Sequence, residues 1–163
     1  MKRKLFLSIL IVFFATSFMS VVGCNNQNII KEQSSLAEKK IKEDSELQER
    51  CGKQCEEYFN KEYGKGIINR GDGERLISKY TNHYNKKLIK CFILINSTEF
   101  IRNMENKIES IRVKTLFDLN ENKEYGSLIQ FENNNKPINC RILEKYCNLE
   151  KEWDLLMKPY MED

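Results

Sequence analysis

The first 23 residues constrain this chain most, because they predict the compartment in which it folds. Lys2, Arg3 and Lys4 precede an apolar run from Leu5 to Val22 that only four hydroxyl residues interrupt. A basic start followed by such a run is typical of a secretory signal peptide. An uncleaved membrane anchor is the alternative, since about 18 apolar residues are marginally long enough to span a bilayer. We expect export, and therefore folding in an oxidising compartment.

Four residues at the end of this run decide between the two alternatives. Val21-Val22-Gly23-Cys24 resembles the bacterial lipobox, in which two aliphatic residues and a small residue precede a cysteine. The resemblance implies cleavage after Gly23, lipid attachment to the Cys24 sulfur and acylation of the new amino group. Several acyl chains on one residue give durable membrane anchoring. We therefore predict a lipoprotein signal peptide at residues 1–23, and a protein of the bacterial cell envelope that faces the periplasm or the exterior.

The excess positive charge of the chain belongs to this signal segment. The 163 residues include 27 Lys and Arg and 24 Asp and Glu, a formal charge of +3. Three of the basic residues lie before Leu5, so the remaining basic and acidic residues are equal in number. Nucleic-acid-binding domains carry a basic patch or stripe, so a nucleic-acid partner is not predicted. Residues 24–45 contain little to bury and are predicted to be a lipidated, flexible tether, followed by one domain over residues 46–163.

Five cysteines remain besides the lipidated one, and export predicts that they form disulfides. Cys51 and Cys55 lie one turn apart in a predicted helix, where Cβ atoms are about 5–6 Å apart. A disulfide needs about 3.5–4.5 Å, so these two are not expected to bond to each other. Cys140 and Cys147 flank a predicted turn and are expected to pair. Cys91 then pairs with either Cys51 or Cys55, of which Cys51 is favoured.

Hydrophobic periodicity predicts an α+β fold. Residues 45–62 have helical spacing and end at Gly64–Gly66, and a second helix follows Asn148 with Trp153 on its apolar face. Four strands are predicted between them, at residues 91–95, 111–119, 125–131 and 137–143. The expected order is an N-terminal helix, an antiparallel β-meander of about four strands and a C-terminal helix.

A polar and aromatic cluster before the first predicted strand contains the only histidine. Its members are Tyr80, Asn82, His83, Tyr84 and Asn85. One interpretation is a binding surface or a small active site, since a nucleophile in this chain would have to use His83 as its base. The other is that His83 only satisfies a backbone carbonyl. No catalytic residue is assigned. The cysteine spacings and a single histidine match no zinc site, so neither a metal nor a cofactor is predicted.

Several segments of the chain carry a family resemblance. They are Tyr80–Phe92, Leu116–Asp118, Lys123–Gly126, the two cysteines Cys140 and Cys147, and Trp153–Met161. Together they resemble a family of small bacterial exported proteins and lipoproteins that brings no known activity. The resemblance covers most of residues 50–162. It implies a single cysteine in the first helix, whereas this chain has two, which leaves the partner of Cys91 open.

The sequence therefore predicts a lipid-anchored domain held together by disulfides and expected to be a monomer. Its predicted role is the non-catalytic binding of an envelope protein, a glycan or a small ligand near the membrane. One alternative is a small hydrolase that acts through the His83 cluster. Another is an inhibitor of an external enzyme that degrades the cell wall.

Overall fold

The computed structural model describes the backbone of residues 22–163 and the side chains from residue 30 on. The predicted signal peptide lies outside these residues except for its last two positions, and the side chain of Cys24 lies outside them too. The chain divides into a segment ending at Asp44 and a compact unit, Ser45–Asp163. Helix α1 spans Val22–Tyr63. Among the described residues, no helix is both long enough and apolar enough to cross a membrane.

Residues 24–45 are helical, not irregular as the predicted flexible tether requires. The side chains of residues 30–43 are exposed, as their low apolar content predicts. However, Glu, Lys, Gln and Ala are also strong helix formers, and charged pairs one turn apart, such as Lys39 and Glu43, add some support. Low hydrophobicity thus predicted the exposure of this segment but not its backbone conformation.

Seven antiparallel strands follow α1, and each strand pairs with the next along the chain. They are β1 (Ile67–Gly71), β2 (Glu74–Asn85), β3 (Lys90–Arg102), β4 (Ile108–Asp118), β5 (Lys123–Phe131), β6 (Asn139–Ile142) and β7 (Lys145–Tyr146). The α+β class and the meander are confirmed, but the predicted number of about four strands is wrong. Strands β1 and β2 are not among the four predicted, because Asn69 and Gly71 in β1 and Asn82 and Asn85 in β2 favour loops. Strand β7 is only two residues long.

The two helices pack on opposite faces of the sheet. The front face, with Cys91, Ile93 and Ile95, packs against Cys51, Cys55 and Phe59 of α1. The back face, with Phe92 and Leu94, packs against helix α2, which spans Glu150–Met161. Because alternate residues of a strand point to opposite faces, a strand covered on both sides is apolar throughout. This explains the continuous run Cys91–Ile95, which the sequence correctly predicted to be a buried strand.

Gly64 ends α1, whereas Gly126 and Trp153 both lie against the backbone of Arg141 in β6. Gly64 follows α1 with a φ of 58°, a left-handed conformation that ends helices and suits glycine. At Gly126, a Cβ atom would lie 2.5 Å from the carbonyl oxygen of Arg141, so only glycine allows β6 to approach β5 here. Trp153 of α2 is fully buried, and its Nε1 donates a hydrogen bond to the same Arg141 oxygen, at 3.2 Å.

Candidate functional site

The residues of the predicted His83 cluster do not form one site. They lie in succession on β2, so their side chains alternate between the two faces of the sheet. Tyr80 and Tyr84 pack with α1 on the front face. Asn85 contacts the end of α2 on the back face. Residues that are adjacent in the sequence therefore lie on opposite faces of the sheet and contact different helices.

The back-face members of this cluster have local partners. Asn85 is fully buried; its Nδ2 donates to the carbonyl oxygen of Pro159 at 2.9 Å, and its Oδ1 accepts the Leu88 N–H at 3.0 Å. The Nε2 atom of His83 lies 3.4 Å from Asp163 Oδ1 but makes no hydrogen bond of good geometry. In the described part of the chain, no hydroxyl or thiol is hydrogen-bonded to this imidazole. The geometry gives His83 an acidic neighbour and no nucleophile.

The disulfides are those that the sequence favoured. Cys51 is bonded to Cys91, and Cys140 is bonded to Cys147. The first bond joins α1 to β3 within the front-face core, and the second closes the short loop before α2. Cys55 is left as a buried free thiol, and burial raises its pKa to about 12. Its Sγ lies 3.6 Å from Cys91 Sγ.

A buried ion pair that sequence reasoning missed closes one end of the sheet. Lys90 Nζ lies 2.7 Å from the fully buried Asp118, 2.6 Å from Glu121 and 2.6 Å from the Tyr125 hydroxyl. Burial opposes the charge on Lys90, but hydrogen bonds to Asp118, Glu121 and Tyr125 outweigh it and raise its pKa. Lys90 is therefore charged at neutral pH and bound to three partners, so it cannot serve as a base. The arrangement stabilises the β4–β5 turn, whose Asn120 N–H also binds Asp118.

An open concavity of about 540 Å³ lies beside this ion pair. Its lining includes two aromatic side chains, three cations and two carboxylates: Tyr125, Tyr160, Lys123, Arg141, Lys145, Glu124 and Glu144. The positive charge is partly cancelled, because Arg141 pairs with Glu124 at 3.2 Å. The concavity combines aromatic and charged groups but contains no titratable pair arranged for acid–base chemistry. Its size is in the range of ligand pockets, and its openness favours weak binding of a small polar group.

Within the described part of the chain, α1 and α2 leave about half of the sheet uncovered. Strand β3 has 13 residues, a length of about 43 Å, whereas α2 has 12 residues and is only about 18 Å long. Helix α1 ends at Tyr63, and Gly66, three residues later, lies against Ser78 of β2. Helix α1 therefore stops at about the level of Ser78. The strand segments from Ser78 and its neighbour Ser97 outward, away from the Cys91 end of the sheet, belong to neither core cluster. We call them the open half of the sheet.

The front face of the open half has an apolar centre on β4 and β5. Ile111 is paired with Phe131, and Val113 is paired with Ile129. Because directly paired residues point to the same face, these four side chains form one patch, which we call the apolar square. All four are only partly buried. An antiparallel sheet that faces water is normally polar on that side, and the apolar square departs from this pattern.

Carboxylates of β3 and β4 lie beside Ile111 of the apolar square. Glu99 of β3 is the cross-strand partner of Ile111. Glu109 of β4 precedes Ile111 by two residues and therefore lies on the same face of the sheet. Glu109 accepts a hydrogen bond from Asn103 at 2.7 Å, which leaves its negative charge in place. Glu99 is paired with Arg70 of β1. With Glu74 on β2, the front face of the open half carries three carboxylates and one cation.

The back face of the open half has the opposite charge. Its strand positions include Arg75, Arg102 and Arg112, and Lys79 and Lys114 lie on the same face just inside its boundary. Lys114 and Arg112 are engaged by Glu150 of α2, at 2.9 Å and 3.1 Å, and Arg75 lies over the Phe100 ring. The open half is therefore polarised, with an apolar and acidic front and a basic back. The balanced total charge of the chain did not reveal this separation, because it depends on which strand residues face the same way.

No known protein family, curated protein or solved structure matches the chain.

Proposed function

We propose that this protein is a lipid-anchored component of the bacterial cell envelope that binds another protein through the apolar square, without catalysis. The observation that carries this proposal is the apolar square, whose four side chains are only partly buried and belong to neither of the two core clusters that pack against the helices. The enzyme alternative has less support, since no hydroxyl or thiol of the described residues is hydrogen-bonded to His83 Nε2.

The anchor is supported by the sequence at the start of the chain. Lys2–Lys4, the apolar run and Val21–Cys24 occur in the order and register of a lipoprotein signal. The mature domain is near neutral, so the lipid rather than surface charge would hold it at the membrane. Growing cells with labelled palmitate tests this. We expect labelled protein from the natural sequence and none from Cys24→Ala, and labelling of the variant would refute the lipid site.

Binding of a protein is supported by the chemistry of the apolar square. Exposed apolar clusters on soluble domains mark interaction sites, and the four residues of the square are rigidly held on two central strands. The neighbouring carboxylates, Glu99 and Glu109, favour a partner that presents apolar side chains beside Lys or Arg. A glycan would instead need hydrogen-bonding groups where the square has none.

The docking surface is tested by comparing two variants in envelope extracts. Ile129→Glu places a charge in the apolar square, whereas Leu155→Glu places one on the exposed side of α2, where Leu155 is 70% exposed. We expect Ile129→Glu to reduce recovery of a specific basic partner at least about tenfold, and Leu155→Glu to leave it unchanged. Equal recovery with both variants would rule out the apolar square. Circular dichroism confirms that each variant is folded.

Inhibition of a wall-degrading enzyme is the second candidate, and the carboxylates favour it. Such an enzyme with a basic surface would fit the acidic front face of the open half. Titrating the domain into a lysozyme assay tests this candidate. Inhibition that is weakened by Glu109→Lys and kept by Glu144→Lys would support it. If the domain has no effect at a large molar excess, inhibition of lysozyme is excluded.

A further inference from the structure

Three sulfur atoms meet in the front-face core. The Sγ atoms of Cys51, Cys55 and Cys91 all lie within 4.8 Å of one another. Two of them form the disulfide, and the third belongs to the free Cys55, whose Sγ is 3.6 Å from Cys91 Sγ. Cys51 and Cys55 are one turn apart on α1, so the helix presents both to the same strand residue. Cys91 thus has two possible partners at nearly the same place.

We propose that these three cysteines form a thiol–disulfide exchange site, in which the bond to Cys91 passes between Cys51 and Cys55. The Cys55 thiolate attacks Cys91 Sγ, a new bond forms between Cys55 and Cys91, and the bond between Cys51 and Cys91 breaks. Cys51 leaves as a thiolate and takes up the proton that Cys55 lost. No external oxidant or reductant is needed, because one disulfide and one thiol are present before and after.

The resting geometry holds this exchange back. Attack requires the entering and leaving sulfurs to lie on opposite sides of Cys91 Sγ, which would separate them by more than about 5 Å. The three sulfurs instead form a compact triangle. The side chain of Cys55 must therefore rotate before it reacts, and it is fully buried beside the Phe92 carbonyl, 3.7 Å away. A local opening of α1 would allow this rotation.

Either disulfide keeps α1 attached to β3. The exchange moves only the free thiol, from Cys55 to Cys51, because both sulfurs already lie near Cys91. The site thus protects the covalent link between the helix and the sheet against the loss of one cysteine.

Peptide mapping under non-reducing conditions tests the proposal. Cys51→Ala, folded in a glutathione redox buffer, is expected to contain a Cys55–Cys91 bond in nearly all chains. Cys55→Ala should keep the Cys51–Cys91 bond, and Cys140→Ala is the matched control that leaves this site complete. The proposal is overturned if folded Cys51→Ala, judged by circular dichroism, retains both Cys55 and Cys91 as free thiols.

The natural sequence provides a second test that does not depend on the folding of a variant. Incubation at alkaline pH followed by an acid quench should produce chains with a Cys55–Cys91 bond. Only the thiolate attacks, and the pKa of Cys55 is about 12. The rate should therefore rise about tenfold for each pH unit up to that value. Absence of the Cys55–Cys91 peptide after prolonged incubation near pH 10 would also overturn the proposal.

Discussion

Asn85 shows how one buried side chain can join distant parts of the chain. Its amide donates to the Pro159 carbonyl at the end of α2, and its Oδ1 accepts an N–H from the β2–β3 turn. Carbonyl oxygens of Tyr160 and Glu162 lie within 3.4 Å of the same Nδ2. The sequence predicted Asn85 as part of a binding cluster. The structure gives it an internal role, because its strand position points it at α2.

Asn85→Asp is expected to lower the free energy of unfolding by about 3 kcal/mol, since a carboxylate would replace a donor that faces several carbonyl oxygens. Asn85→Ala should cost about 1–3 kcal/mol, because it only leaves the polar groups unpaired. Urea unfolding followed by circular dichroism measures both. Asn135→Asp, in an exposed turn, is the control and should change little. An Asn85→Asp variant as stable as the control would contradict this role.

Cys55 should make the domain less stable at alkaline pH. Burial raises the pKa of its thiol from 9.0 to about 12 in the folded protein. Above pH 9 the unfolded chain therefore loses this proton while the folded chain keeps it, so stability falls until about pH 12. The loss should approach about 1.4 kcal/mol for each pH unit.

Urea unfolding of the natural sequence and of Cys55→Ala, at about pH 8 and pH 10, isolates this contribution from that of the tyrosines. We expect the natural sequence to lose more stability than the variant between the two values. A difference between the two proteins that does not change with pH would show that the thiol ionises equally well in both states.

Residue-level prediction succeeded where local geometry was sufficient. Helix geometry alone excluded the Cys51–Cys55 bond, and the predicted turn paired Cys140 with Cys147, but the choice between Cys51 and Cys55 for Cys91 stayed open until the structure showed Cys51. The pair formed by Lys90 and Asp118 could not be found in this way. These residues are 28 positions apart, and only the pairing of β3 with β4 brings them together.

At the level of elements, an ion-pair network holds the start of α2 on β4. Glu150 lies 2.9 Å from Lys114 and 3.1 Å from Arg112, and Asp154 lies 2.8 Å from Lys114. The hydrogen bond from Lys114 is the main reason that the pKa of Glu150 is lowered, and the Arg112 charge adds to it. The same contacts outweigh burial and raise the pKa of Lys114.

Glu150→Gln is expected to lower the free energy of unfolding by about 1 kcal/mol at neutral pH, as for a partly exposed network. Because the folded state holds the pKa of Glu150 below its ordinary value, this contribution is complete above that ordinary value and is lost as the pH falls through the folded-state pKa. The natural sequence and the variant should therefore converge in acid. Urea unfolding across this range measures the difference, with Glu144→Gln as control. A constant difference at all pH values would contradict the network.

The elements differed in how well the sequence predicted them. The packed end of α1 and all of α2 have clear apolar periodicity, and both were predicted within a few residues. Strand β3 was predicted only for its doubly covered part, Cys91–Ile95, whereas it continues to Arg102. Its second half begins with four consecutive polar residues, Asn96–Glu99, so it lacks the continuous apolar signal that coverage by two helices produces.

At the scale of the whole molecule, the open half of the sheet follows from a mismatch of lengths. Two helices that each cover part of the strands leave the rest to solvent, and the apolar square lies in that part. No local pattern contains this information, because it requires the relative positions of strands and helices. The sequence predicted a binding role from what was missing, namely catalytic and metal motifs, and the structure adds a surface that could perform it.

The apolar square is tested most directly by photo-crosslinking in intact cells. A photoreactive amino acid replaces Val113 in the square or, as a control, Leu155 on the exposed side of α2. We predict one discrete adduct from position 113, reduced several-fold by Glu109→Lys because that change removes the attraction for a basic partner, and no such adduct from position 155. No adduct from position 113, or the same adducts from both positions, would contradict a docking function for the square.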